Sequence, residues 1–341
     1  MIRYIFLSLL LISGLLKAQP TKPEDYGLKA FHLKDPKLGR IDYYLSESGI
    51  DQKKPLLIAL DGSGNFPLAI FVQKTKGSEV MNSFDQDLLG LSDRFHILLI
   101  GKPGIPFCDT IQTDTTDFEH VVAKLPSPKA FLNNNSLYWR VQAVSKVLDR
   151  LMKEIPIDKF KIIAYGYSEG AQVAPALAVS DKRITHCAAV MGSGLNQFYD
   201  FITAVRIRTL KKEITEEVAQ QQIDSLFLKF KDIYTHPNAT DQQWEGNTYK
   251  RWASYCSDIP MENLLKLNIP IFMTAGSQDT NSPIYGIEYI RLDFLRKHKQ
   301  NLTFKTYPTD HFFSEHYMDN GQPAQRSYKK QMLADFLNWI E

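Results

Sequence analysis

The chain has 341 residues, 44% of them hydrophobic and 23% charged, which is the balance of a folded globular protein with a sizeable core and excludes a disordered chain. Lys and Arg total 40 against 38 Asp and Glu, a net charge of +2 with no long block of one sign, so nucleic acid is not an expected partner. Three cysteines, Cys108, Cys187 and Cys256, are too few for a disulfide-built scaffold and show no metal-ligand spacing; a Cys108–Cys256 bridge is left open.

Met1 to Ala18 reads MIRYIFLSLLLISGLLKA, with an early positive charge at Arg3 and an apolar run from Tyr4 to Leu16. That order and length predict an export signal, residues 1–18, cut after Ala18. The apolar run is shorter than the roughly 20 residues of a membrane-spanning helix, so a periplasmic or secreted protein without stable membrane insertion is expected.

After a polar leader, Arg40 to Leu45 and Pro55 to Leu60 read as strands. The second runs into Asp61-Gly62-Ser63-Gly64, a Gly-rich turn. His96 to Ile100 is another buried strand. Ile105 to Asn135 then shows prolines, polar residues and no sustained period, and is expected to be a long loop, either rimming a site or a merely solvated excursion. Ser136 caps a predicted helix over Leu137 to Lys153, whose apolar residues recur at helical spacing; its charges, Arg140 among them, are expected on a solvated face.

Lys161 to Ser180, KIIAYGYSEGAQVAPALAVS, organises the rest. Its apolar run Ile162 to Tyr165 reads as a strand buried on both faces, and the residues from Ala171 onward read as a helix. Between them stands Gly166-Tyr167-Ser168-Glu169-Gly170. Thr185 to Met191 gives a further strand. From Leu195 to about Leu267 the alternation of strand and helix stops, and helical spacing dominates; residues 195–267 are expected to be a helical insertion into a core formed by 19–194 and 268–341. Ile269 to Thr274 is a strand leading to Asp279, Tyr285 to His298 a helix, and Leu302 to Tyr307 a strand leading to His311. Ser327 to Ile340 is an amphipathic closing helix.

A strand passing directly into a helix through Gly-x-Ser-x-Gly forms a sharp turn that exposes the serine hydroxyl. This stretch resembles the α/β-hydrolase family, in particular members with a Gly-x-Ser-Glu-Gly nucleophile elbow. The resemblance covers nearly all of the chain after the export signal. It implies an α/β fold with a mostly parallel central sheet flanked by helices and a helical cap at 195–267. It also implies that the turn after the Pro55–Leu60 strand supplies an oxyanion donor. The family often has His-Gly there, and Asp61 stands in place of the histidine; the backbone N–H of Ser63 is the expected donor, with the backbone N–H of Glu169 as the second. The side chain of Glu169 is expected in solvent, with a cationic substrate group as its other reading.

A serine hydroxyl needs a base to take its proton, and the base needs an acid to fix its tautomer. In this fold they follow the order serine, acid, histidine, which Ser168, Asp279 and His311 satisfy. Asp258 and Asp310 are less suitably placed acids, and His316 a less suitably placed base. The expected reaction is hydrolysis of a carboxylic ester or thioester through an acyl-enzyme, with no metal and no organic cofactor. A prolyl oligopeptidase-like peptidase acting on small peptides is the alternative within the family; such peptidases usually carry a large amino-terminal propeller, which is not expected from the few residues given before the core, and a small ester is the first expectation. A catalytically inactive binding protein is the alternative from another class. The expected partner is a small ester or short peptide, and the oligomeric state is left open.

Overall fold

A computed structural model describes residues 21–115 and 117–341. The expected export segment, 1–18, lies outside the described residues. The chain opens with the antiparallel strands β1 (Leu28–Asp35) and β2 (Gly39–Ser46), then β3 (Lys54–Leu60). β4 (Ala69–Gln73), β5 (Ser78–Asn82), β6 (His96–Ile100) and β7 (Cys108–Gln112) follow. Two short helices, α1 (Phe118–Val122) and α2 (Lys129–Asn134), precede the long α3 (Leu137–Glu154). β8 (Ile157–Tyr167) passes into α4 (Gly170–Ser180), and β9 (His186–Val190) comes next.

Between β9 and the next long strand lie α5 (Gln197–Leu210), α6 (Glu216–Thr235), the two-residue strands β10 (Gln243–Trp244) and β11 (Asn247–Thr248), α7 (Tyr249–Ser257) and α8 (Pro260–Lys266). β12 (Ile271–Gly276), α9 (Ile284–Arg296) and β13 (Leu302–Tyr307) resume the alternation. The hairpin β14 (Ser314–Asp319) and β15 (Gln322–Ser327) and the helix α10 (Lys329–Ile340) end the chain.

The main sheet has the order β1-β2-β6-β3-β8-β9-β12-β13. It is antiparallel across β1, β2 and β6 and parallel from β6 to β13. Its inner strands are continuous apolar runs because helices cover both faces. Leu56, Ile58, Ile162 and Ala164 face α3 and α4 with Val144, Leu148, Val173 and Leu177. Leu57, Ile97, Ile163 and Tyr165 face α10 with Met332, Phe336 and Ile340. Each such fully buried aliphatic side chain contributes about 1.5–3 kcal/mol.

The expected 105–135 loop is corrected in part. Cys108–Gln112 is a strand that joins β4 and β5 in a second sheet of order β5-β4-β7, and α1 and α2 follow it. Ile70, Val72, Ile111, Val121 and Leu125 form a small core of their own there. The polar leader also contains a full strand, β1, which pairs with β2 and forms one edge of the sheet. Cys108, Cys187 and Cys256 are all free thiols, so the Cys108–Cys256 bridge is absent. Phe198, Phe230, Ile233, Tyr249 and Trp252 pack together within α5–α7, giving that helical segment its own apolar centre. Among the described residues no helix is long and apolar enough to cross a membrane.

Candidate active site

The parallel register brings the carboxyl ends of β3, β8, β9, β12 and β13 to one rim. Leu60 is level with Gly166, and Tyr167 with Val190. Ser168 follows directly, its N–H donating to the Val190 carbonyl at 2.9 Å. Its φ is +55°, a left-handed conformation that costs a side-chain-bearing residue of order 1 kcal/mol and that the flanking strand and helix impose. The glycines around it are steric necessities: a Cβ on Gly166 would lie 1.9 Å from the Gly170 carbonyl oxygen, and one on Gly170 would lie 2.0 Å from that of Leu60.

Asp279 and His311 reach the same place because the loops after β12 and β13 are stitched together. Ser277 N–H donates to the Tyr307 carbonyl at 2.8 Å and Gln278 N–H to that of Thr309 at 2.9 Å. His311 Nε2 lies 2.9 Å from Ser168 Oγ, and His311 Nδ1 lies 2.8 Å from Asp279 Oδ2. The other carboxylate oxygen of Asp279 accepts the backbone N–H groups of Asn281 at 2.8 Å and Ser282 at 2.9 Å. With three hydrogen bonds of this kind the carboxylate is fixed before any ligand arrives. The Tyr167 hydroxyl donates to the His311 carbonyl at 2.7 Å, tying the histidine loop to the strand that carries the serine. Asp310 instead bonds His316, Nε2 to Oδ2 at 2.9 Å, and Asp258 holds the side chain of Asn263, so neither competing acid approaches His311.

Ser63 and Glu169 line the cavity above Ser168 with His311. The loop carrying Ser63 runs close to the serine: a Cβ on Gly62 would stand 3.3 Å from that of Ser168. Among the described residues neither the Ser63 nor the Glu169 backbone N–H donates a hydrogen bond, so both are free to serve an acceptor in the cavity.

The Glu169 side chain is not in solvent. The elbow turns it inward between α3 and α7, where it is 4% exposed. Arg140 of α3 donates to Oε1 at 3.1 Å, Tyr255 of α7 donates to the same oxygen at 2.9 Å, and Arg251 of α7 binds Oε2 through two nitrogens. Arg140 also donates to Asp61 Oδ1 at 2.5 Å and to the Asp61 carbonyl at 3.1 Å. Lys102 contacts Asp61 Oδ2 at 2.9 Å and the Gly64 carbonyl at 2.8 Å. Burial pushes the Glu169 carboxyl up, but Arg251, Arg140 and Lys102 outweigh it and bring its pKa down to about 2. Burial lowers the pKa of Lys102. Three cations thus face two carboxylates, leaving one surplus positive charge behind Ser63 and Glu169.

Sequence reasoning missed this network. It assigned Arg140 to a solvated face, yet Arg140 is 5% exposed and stands three residues after Leu137 and four before Val144, on the buried stripe of α3. That spacing was the available signal. Arg251, Tyr255 and Lys102 carried none, because their partner is a glutamate far off in the sequence. Asp200 of α5 was missed too; it lines the same cavity, and burial raises its carboxyl pKa to about 7.

The eight-stranded sheet with its helical layers and the serine on a strand-to-helix turn define the α/β-hydrolase fold. Solved structures of similar shape include an α/β hydrolase, GrgF, from Penicillium sp. sh18, with TM-score 0.52 and 13% identity over 92% of this chain and 97% of that one. An acetyl xylan esterase from Thermoanaerobacterium sp. has TM-score 0.50 and 10% identity over 92% and 84%. An acylaminoacyl peptidase from Pyrococcus horikoshii has TM-score 0.50 and 12% identity over 83% of this chain; the match spans only 37% of that peptidase. No protein-family model matches the sequence, and no curated protein matches it. At such identities the likeness establishes the fold.

Proposed function

We propose that the chain is an exported serine hydrolase that cleaves a carboxylic ester or thioester through an acyl-enzyme. The observation that carries this reading is the unbroken hydrogen-bonded line from Asp279 through His311 to Ser168 at the rim of the sheet. Ser168 Oγ attacks the carbonyl carbon while His311 Nε2 takes its proton; the resulting imidazolium is held by Asp279. The developing oxyanion accepts from the backbone N–H groups of Ser63 and Glu169, and the surplus positive charge of the Lys102, Arg140 and Arg251 cluster favours it further. His311 returns the proton to the departing alkoxide. A water molecule, deprotonated by His311, then attacks the acyl group, and collapse of the second tetrahedral species releases the acid and restores Ser168.

The helices α5–α8 act as a cap over this site, and the export signal is removed after Ala18, which the mass of the protein recovered outside the cytoplasm would test. A fluorophosphonate probe that labels the wild type and not Ser168→Ala supports the nucleophile; equal labelling of both refutes it. Proteins of this fold include an esterase and a peptidase. A panel of p-nitrophenyl esters beside aminoacyl and dipeptidyl anilides therefore decides the bond, and turnover of anilides alone overturns the ester reading.

A further inference from the structure

Ser168 and His311 stand where two unlike cavities meet, both of which they line together with Ser63 and Asn281. One, of about 530 Å³, lies between the second sheet and α10 and is walled by Phe66, Phe84, Leu88, Phe118, Phe312 and Phe313. The other, of about 370 Å³, lies beneath α5 and α7 and is walled by Asp200, Phe201, Trp252, Thr280, Asn281 and Ser282. Both fall in the size range of small-molecule sites, about 300–1,000 Å³. A bond presented to Ser168 therefore joins one group from each side.

The chemistry of the second cavity narrows what it takes. Among the described residues the side chains of Thr280, Asn281 and Ser282 form no hydrogen bond within the protein, and Asp200 has the Ser193 side chain as a hydrogen-bond partner but no Lys, Arg or His. That leaves a carboxylate, two hydroxyls and an amide, acceptors and donors mixed, beside two aromatic rings. The Lys102–Arg140–Arg251 cluster, one positive charge in excess of Asp61 and Glu169, stands on one side of this cavity and the Asp200 carboxyl on the other, so a ligand group of either sign meets a charge of its own sign. A neutral group with several hydroxyls meets neither penalty and can satisfy all four side chains.

Building on the proposed nucleophilic role of Ser168, we infer that the substrate is an ester linking an apolar, aromatic acid held in the larger cavity to a neutral polyhydroxylated alcohol, of the sugar or glycerol kind, held by Asp200, Thr280, Asn281 and Ser282. Hydrolysis releases the free aromatic acid and the free polyol, with water supplying the hydroxyl and the proton.

The test uses 4-methoxycinnamate esters of glucose at O6, of n-hexanol and of choline. The glucose ester should have kcat/KM at least tenfold above the other two, and glucose 6-acetate should fall at least tenfold below it. Asp200→Asn should cut the preference for glucose over hexyl at least fivefold, mainly through KM. A choline ester turned over best would mean a cation site, and a hexyl ester turned over as well as the glucose ester would mean no polyol site; either overturns the inference. Calorimetric binding of the same three esters to Ser168→Ala separates this inference from the hydrolase reading, since binding needs no chemistry. Tighter binding of the glucose ester with no turnover by the wild type would refute the hydrolase and retain the subsite. Turnover with no glucose preference in rate or binding would refute the subsite and retain the hydrolase.

Discussion

Glu169→Gln keeps the shape of the side chain and removes its charge, leaving Lys102, Arg140 and Arg251 facing Asp61 alone. The carboxyl falls from its ordinary 4.5 to about 2 in the folded protein. At 1.36 kcal/mol per pKa unit this corresponds to roughly 3 kcal/mol of stability, and breaking a buried ion pair by removing one partner costs about 3–5 kcal/mol, so the two routes agree. Because the folded pKa is depressed, the stabilisation is complete above the unfolded value near 4.5 and is lost as pH falls through about 2. The variant should therefore unfold at lower urea than the wild type at pH 7, by about 3 kcal/mol. The gap should shrink to roughly half or less by pH 3. Urea titrations followed by far-ultraviolet circular dichroism at the two pH values measure both. A gap under about 1 kcal/mol at pH 7, or one of the same size at pH 3, would refute the view that Glu169 is an ionised hub joining elbow, α3 and α7.

The remaining predictions concern the site and its scaffold. Ser168→Ala and His311→Ala should each lower kcat by about 10⁴-fold or more, and Asp279→Asn by about 10³–10⁴-fold, with unchanged circular dichroism; steady-state kinetics on an accepted ester reads this out. Gly166→Ala and Gly170→Ala should each cost more than about 3 kcal/mol or prevent folding, because the added Cβ meets a backbone oxygen at 1.9 Å or 2.0 Å and backbone cannot give way as a side chain can; soluble yield and urea midpoint measure it. Asp200 has a folded pKa raised by burial to about 7, so stability is greatest while it is protonated and declines as pH rises from the unfolded value through 7. Asp200→Asn should accordingly raise Tm relative to the wild type by more at pH 8 than at pH 5.

The chain's local patterns carried much of this. Doubly buried strands must be continuous apolar runs, so Pro55–Leu60, His96–Ile100 and Ile162–Tyr165 announce a parallel sheet without coordinates, and Gly-x-Ser-x-Gly between strand and helix announces the turn that strains Ser168. Ser136 as the cap of α3 was equally legible, its hydroxyl accepting from Trp139 N–H at 3.2 Å. Asp279 and His311 could be placed because each lies in the loop just beyond a predicted strand, the buried Ile271–Gly276 and the alternating edge strand Leu302–Tyr307. The second sheet was not legible: β4 and β7 are five residues long, flanked by turns, and gain their core only by pairing with each other across 35 residues or more.

What the order of residues determined by itself was the layering and the rim, since hydrophobic periodicity and turn chemistry act over a few residues. What only the tertiary structure decided was the fate of the charges. Glu169 reads as a surface residue until Arg140, Arg251 and Tyr255 arrive from two other helices, and Asp61 reads as a turn residue until Lys102 and Arg140 close on it. A charge in isolation belongs in water; whether it can leave depends on counter-charges placed within 3 Å or so, and those are supplied by packing between elements far apart in the chain.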